Sequence, residues 1–383
     1  MMKYNVVVFS FYLLLLSLSP NVLANPIMLK DHEKKIKNFY QIKSLADKVG
    51  RKDLEEEIRK FVAQTRPSRI VNSPGHLAAQ KYIKDELKKL TLPGSSVTEQ
   101  DFILDVDSAI KDYRDEFQKE IAEKYDVKDP LYQKWFKVTD SMVRLTNKYR
   151  GTKGKNLIFE KKGVSRPNDI LILGANFDTL VHNPETLIPE PEKTMPGADN
   201  NASGVVALLN LAKILTALDL PITVKIVFFD AEELSFLGSK AYLDQYGEEL
   251  KKQNVMGFIN ILMIGHDSKR EDKEKKNNNM AMYFRPNNER EMSFAGKIIN
   301  GGKKTWSAID FKPVANAMNS SSHQVFWDRG FDAVVMTQNW ESDFNPRWHT
   351  PNDFVETLNL STWTSAFKFI TGSVLSLSFG VEK

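Results

Sequence analysis

The chain has no cysteine among its 383 residues. Disulfide cross-links, thiolate metal sites, a thiol nucleophile and lipid attachment through an N-terminal cysteine are therefore excluded. An excess of either charge is lacking too. The formal net charge is only +4, and no basic stripe with interleaved aromatics occurs, so nothing recommends a nucleic-acid partner. Past the first two dozen residues no run is apolar enough for a membrane span, which takes ~20 residues. What remains is 42% hydrophobic and 27% charged residues, an ordinary globular balance. The length suits one large domain or two smaller ones.

The N-terminus stands apart. Lys3 is followed by an almost wholly apolar stretch over 6–16 and by small residues at Val22 and Ala24. That pattern predicts a cleavable secretory signal over 1–24, hence a secreted or periplasmic protein with no membrane association after cleavage. Residues 25–66 read as an N-terminal helical segment, with Ile36, Phe39, Leu54, Ile58 and Phe61 at helical spacing. Residues 67–383 read as the main domain, interrupted at 105–150 by a charged, aromatic helical insertion. In "NSPGHLAAQKYIKDELKKL", Ser73 is a candidate cap and Pro74 suits a first helical turn.

From residue 156 onward, short apolar runs alternate with helical patterns. "DILILGANF", "ITVKIVFF", "VMGFINILMI" and "DAVVMTQ" read as strands; "ASGVVALLNLAKILTAL" and the C-terminal "STWTSAFKFITGSVLSLSF" read as helices. The expected fold class is α/β: a mostly parallel central sheet with helices on both faces.

Polar residues collect where those strands end, which is where such sheets carry function. Asn176 and Asp178 follow one strand, Asp199 precedes the apolar helix, and Glu232 and Glu233 end "IVFFDAEEL". His349 lies in "FNPRWHTPND". Taken singly, Asp199 is a helix cap, the glutamates serve a helix dipole, and the histidine is structural. Taken together, two carboxylates and an imidazole are the ligand set of a catalytic zinc with one open position. A cation would also neutralise acids that a buried strand brings together.

"PGADNNASGV", "VFFDAEELSFLGS" and "NPRWHTPND", in that order and spacing, resemble the M28 family of zinc peptidases, mostly aminopeptidases. The resemblance implies Asp199 as the metal-bridging ligand, Glu233 and His349 as further ligands of one ion, and Glu232 as general base. It implies that Asp178 orients the first histidine, and that the Asp199–Asn200 peptide is cis. Two positions depart: Asn176 replaces the first histidine and Leu262 replaces an aspartate, both ligands of the other ion. One zinc is thus expected. Two stay open through rescue by His182, or by His266 and Asp267. His323 in "SSHQVFWDRGF" is a substrate-side candidate, though Ser322 stands where the family often has aspartate. Trp340, Phe344 and Trp348 are candidates for an apolar subsite. The implied activity is removal of N-terminal residues from peptides or proteins. A one-zinc glutaminyl cyclase and a weakly active or inactive peptide-binding protein are the alternatives.

Overall fold

The structure, a computed structural model, describes residues 40–268, 279–316, 318 and 320–381. The signal-like segment 1–24 lies outside the described residues. Among those described, no helix is long and apolar enough to cross a membrane.

Helix α1 (Arg51–Gln64) and helix α2 (Pro74–Lys88) open the fold. Ser73 caps α2 by accepting from the His76 amide at 3.1 Å, with Pro74 in the first turn as the sequence suggests. Strand β1 (Ser95–Ile103) is followed by two helices, α3 (Val106–Phe117) and α4 (Pro130–Asn147). Then follow β2 (Lys153–Lys161), β3 (Arg166–Asn176), α5 (Ser203–Thr216), β4 (Ile222–Phe229), α6 (Leu237–Leu250) and β5 (Asn254–Ile261). The chain ends with β6 (Met280–Phe284), α7 (Glu289–Gly302), β7 (Lys312–Ala315), α8 (Ser322–Asp328), β8 (Ala333–Gln338) and α9 (Leu360–Phe379).

The eight strands form one sheet, ordered β1-β2-β4-β3-β5-β8-β6-β7. The central four, β4, β3, β5 and β8, are parallel. Antiparallel pairings occur at β1–β2, β2–β4 and β6–β8. β3 and β4 are apolar along nearly their whole buried length because helices cover both faces. α5 is buried almost all round, which its lack of a polar face requires. On that side one cluster unites Leu54, Ile58 and Phe61 of α1 with α5, α9 and the sheet, so the N-terminal segment shares the main core. Parallel packing puts the carboxyl ends of β3, β4, β5 and β8 on one edge. Asn176, Asp230, Leu262 and Asn339 follow there.

Candidate functional site

β4 ends at Phe229, and Asp230 opens a tight turn in which Ala231, Ser235 and Phe236 all take positive φ (52°, 61° and 59°). Each such residue stores on the order of 1 kcal/mol, so the surroundings must hold the turn. Two sets of contacts do. From inside, the Asp178 carboxylate accepts from the Glu232 amide at 3.1 Å and the Glu233 amide at 3.0 Å. From outside, Asp112 of α3 accepts from Ser235 and Lys240, and the Tyr113 hydroxyl donates to the Glu233 carbonyl at 3.4 Å.

The turn sends its two glutamates to different neighbours. Glu232 meets the start of α8: Oε1 accepts from the Ser321 hydroxyl and from the Ser322 amide at 2.9 Å, and Oε2 accepts from the Ser322 hydroxyl. Burial nevertheless pushes its carboxyl up to about 7. Glu233 meets His349, whose Nε2 lies 3.0 Å from Oε2, and Asn200, whose amide donates to Oε1 at 3.3 Å. Burial drives both members of the acid–imidazole pair toward their neutral forms, Glu233 up to about 8 and His349 down to about 3. His349 stacks on Trp348, ring centroids 3.7 Å apart, and its Nδ1 lies 2.9 Å from Nδ1 of His182. The remaining ring nitrogen of His182 is buried without a hydrogen-bond partner.

A cation does sit among these acids, and it belongs to the chain. Arg69 is fully buried, and its guanidinium donates to the carbonyls of Phe177 (2.6 Å), Pro196 (2.6 Å) and Gly197 (2.8 Å). Desolvation lowers its pKa to about 10, which leaves it charged at neutral pH. Its charge acts on Glu233 and on Asp353, drawing both back from the rise that burial imposes. Asp353 in turn accepts from the Asp199 amide (3.0 and 3.1 Å) and the Asn200 amide (2.9 Å), fixing the start of the α5 loop.

The expected ligand trio does not converge. Asp199 turns away from Glu233 and His349: Oδ1 accepts from the Gly265 amide at 2.8 Å, and Oδ2 from the Asn345 amide group at 2.8 Å. Three buried donors, counting Ser203 at 3.4 Å, make that pose more favourable than facing another acid. The side chain facing Glu233 belongs to the next residue, Asn200. The cis peptide is likewise Asn200–Asn201, not Asp199–Asn200. Asp178 orients the glutamate turn rather than a histidine. The two departed positions have taken other work. Asn176 accepts from the Asn201 side chain at 3.0 Å, and Leu262 packs with Met263, Tyr283 and Val335 beneath Trp340 and Trp348. Neither route of rescue is realised: His182 joins His349, His266 pairs with Asp343 at 3.2 Å, and Asp267 accepts from Thr362 at 3.0 Å. His323 is fully buried, its Nε2 2.5 Å from the Met318 carbonyl, and burial lowers its pKa to about 4.

A catalytic zinc takes three protein donors and keeps one position open. Here only Glu233 and His349 converge, and Asn200 offers them a neutral amide. Among the described residues no group of three or more histidines and acids is placed to share a metal. The donor set does not fit the ion. Arg69, Asn200, Asn345 and Asp353 are the site residues that sequence reasoning missed. Asn200, Asn345 and Asp353 lie inside the motifs quoted above, and only Arg69 lies outside them.

A parallel-centred sheet with acids at its carboxyl edge defines an α/β protein of the exopeptidase type. Residues 156–373 match the model of peptidase family M28, and the chain belongs to that family. It is similar to aminopeptidase YwaD of Bacillus subtilis, 23% identical over 220 residues, which is 57% of this chain and 43% of that protein. It is also similar to leucine aminopeptidase 2 of Trichophyton equinum, 32% identical over 29% of this chain and 19% of that one. The matched region thus spans less than half the length of these relatives. The fold is shared with an aminopeptidase from Aneurinibacillus sp. strain AM-1 (TM-score 0.60, 15% identity, 88% of this chain and 95% of that one). It is shared as well with a glutaminyl cyclase from Bacteroides thetaiotaomicron (TM-score 0.58, 18% identity, 86% and 97%).

Proposed function

We propose that this M28 protein recognises peptide or protein N-termini at the carboxyl edge of its sheet without the metal-driven hydrolysis of its family. The observation that carries this reading is the contact between Asn200 and Glu233: an amide stands where a third metal donor is required. Leu262 and Asn176, engaged in packing and in an amide–amide bond, support it. Polar groups for a chain terminus remain in Glu233 and His349. The part-exposed rings of Trp340, Phe344 and Trp348 beside them suit an apolar side chain. Export through residues 1–24, to the periplasm or the medium, belongs to the same proposal.

A second reading is favoured by one specific observation: Asp178 holds the turn that carries Glu232 and Glu233, and Glu233 meets His349. On that reading the protein is a zinc exopeptidase with a single metal, and Glu232 takes a proton from water and returns it to the leaving amine. Glu232 would first have to release Ser321 and Ser322.

Two measurements on the purified protein separate the readings. Elemental analysis is expected to find essentially no zinc after dialysis. Aminoacyl-nitroanilides and natural peptides, including glutamine-initiated ones, are expected to stay intact while quenching tryptophan fluorescence on binding. Chelator-sensitive release of an N-terminal residue would establish the exopeptidase instead, and ring closure of a glutamine terminus would establish a cyclase.

A further inference from the structure

We infer that Asn200 is the residue that keeps a divalent metal out of this site, and that Asn200→Asp alone would let one zinc bind. The inference rests on the metal-free reading proposed above, and it concerns why the site is metal-free.

The geometry around Asn200 is that of a ligand position lacking a charge. Its side chain is 2% exposed and reaches Glu233 Oε1 at 3.3 Å, and Glu233 reaches His349 Nε2 at 3.0 Å. Three side chains from three separate segments therefore meet at one carboxylate. An amide oxygen is a weak zinc donor beside a carboxylate, and its NH2 group fills the space that a cation would take. Asparagine and aspartate have nearly the same shape, so the exchange changes charge and donor type while preserving volume.

The outer contacts that fix metal ligands are already in place. Asp353 holds the Asn200 amide, Asp178 holds the Glu233 amide, and His182 contacts Nδ1 of His349, the nitrogen opposite the one facing Glu233. The two backbone contacts fix where Asn200 and Glu233 stand and the His182 contact fixes the His349 ring, the kind of support without which ligands bind a metal poorly. Here the outer shell is present and the third donor is missing. The other ion's positions, Asn176 and Leu262, are separate from this trio, so a single metal is expected.

The experiment uses stability and metal content, not turnover. Without metal, Asn200→Asp places a second buried acid beside Glu233, and its thermal midpoint should fall well below that of the wild type. Zinc should restore the midpoint, because a ligand at about 100 times its Kd multiplies the folded-to-unfolded ratio about 100-fold. Dialysed Asn200→Asp should carry about one zinc per chain. With cobalt it should show the visible absorption of a tetrahedral site. Asn200→Ala, which removes the amide without adding a donor, should lose stability and gain nothing from zinc. Wild-type protein that already holds one zinc would overturn the metal-free reading itself. Wild-type protein without zinc, together with an Asn200→Asp variant that zinc neither binds nor rescues, would overturn only the role of Asn200. A variant that stays unfolded in zinc counts as the same negative result.

Discussion

Two halves of one strand-end region are built in different ways. Around Glu233, the polar frame persists: Asp178, Asp353, Arg69 and His182 still hold the backbone and rings of a site. Around Leu262, the frame itself has gone. Leucine is buried in an apolar cluster, and Asn176 has become one end of a link through Asn201 to the Ile261 carbonyl. On the inference above, the first half lacks a single charged donor, at Asn200. The second would need an acid forced into hydrocarbon packing. On the metal-free reading proposed above, one half lacks a donor and the other lacks the surroundings a donor would need.

The sharpest way to break the comparison is to charge the rebuilt half. Leu262→Asp buries an acid among Met263, Tyr283 and Val335, and should cost about 3–5 kcal/mol with no rescue by zinc. Urea unfolding with and without metal would measure it. Rescue by zinc there would show that the two halves are equivalent after all.

The pH dependence of stability probes the other half. Burial raises Glu233 to about 8, and Glu232 and Asp353 each to about 7, above the ordinary range near 4 for an unfolded chain. A carboxyl raised in the folded state binds more protons folded than unfolded. Its stabilising contribution is therefore full below about pH 4 and is lost as pH rises through 7 to 8. The unfolding free energy of the metal-free protein, measured by urea titration, should fall by several kcal/mol between pH 5 and pH 8. A flat profile would mean that a bound cation keeps these acids ionised.

The smallest effect comes from Ser322→Ala, which removes one hydroxyl donor from Glu232 while keeping the backbone donor. About 1–2 kcal/mol of stability should be lost. The carboxyl stretch of Glu232 in infrared difference spectra should then titrate at higher pH, since the hydroxyl favours the ionised form.

Much of this was legible in advance. β3, β4, β5 and β8 announce themselves as short apolar runs bounded by turn residues, because strands covered on both faces have no polar positions to spare. β7 did not, being a four-residue edge strand that contains Pro313 and is mostly exposed. α8 is too short to develop a period. In the site, Glu232, Glu233 and Asp178 were found because strand ends locate them. The resemblance places Asp199 among the ligands, whereas in this irregular loop it faces Gly265 and Asn345. Asn200 and Asn201 have φ/ψ of −105°/92° and −132°/40°, so no helical or strand period says which neighbour faces inward. Arg69 could not be read at all, since its partners are backbone carbonyls more than a hundred residues away.

The grip of α3 on the glutamate turn has a consequence for anyone trimming this protein. Tyr113, together with Asp112, braces the outer side of a bend that contains three residues in left-handed conformation. Excising 105–150 as a decorative appendage would remove an abutment, and the two glutamates standing on that arch would lose their footing although neither had been touched.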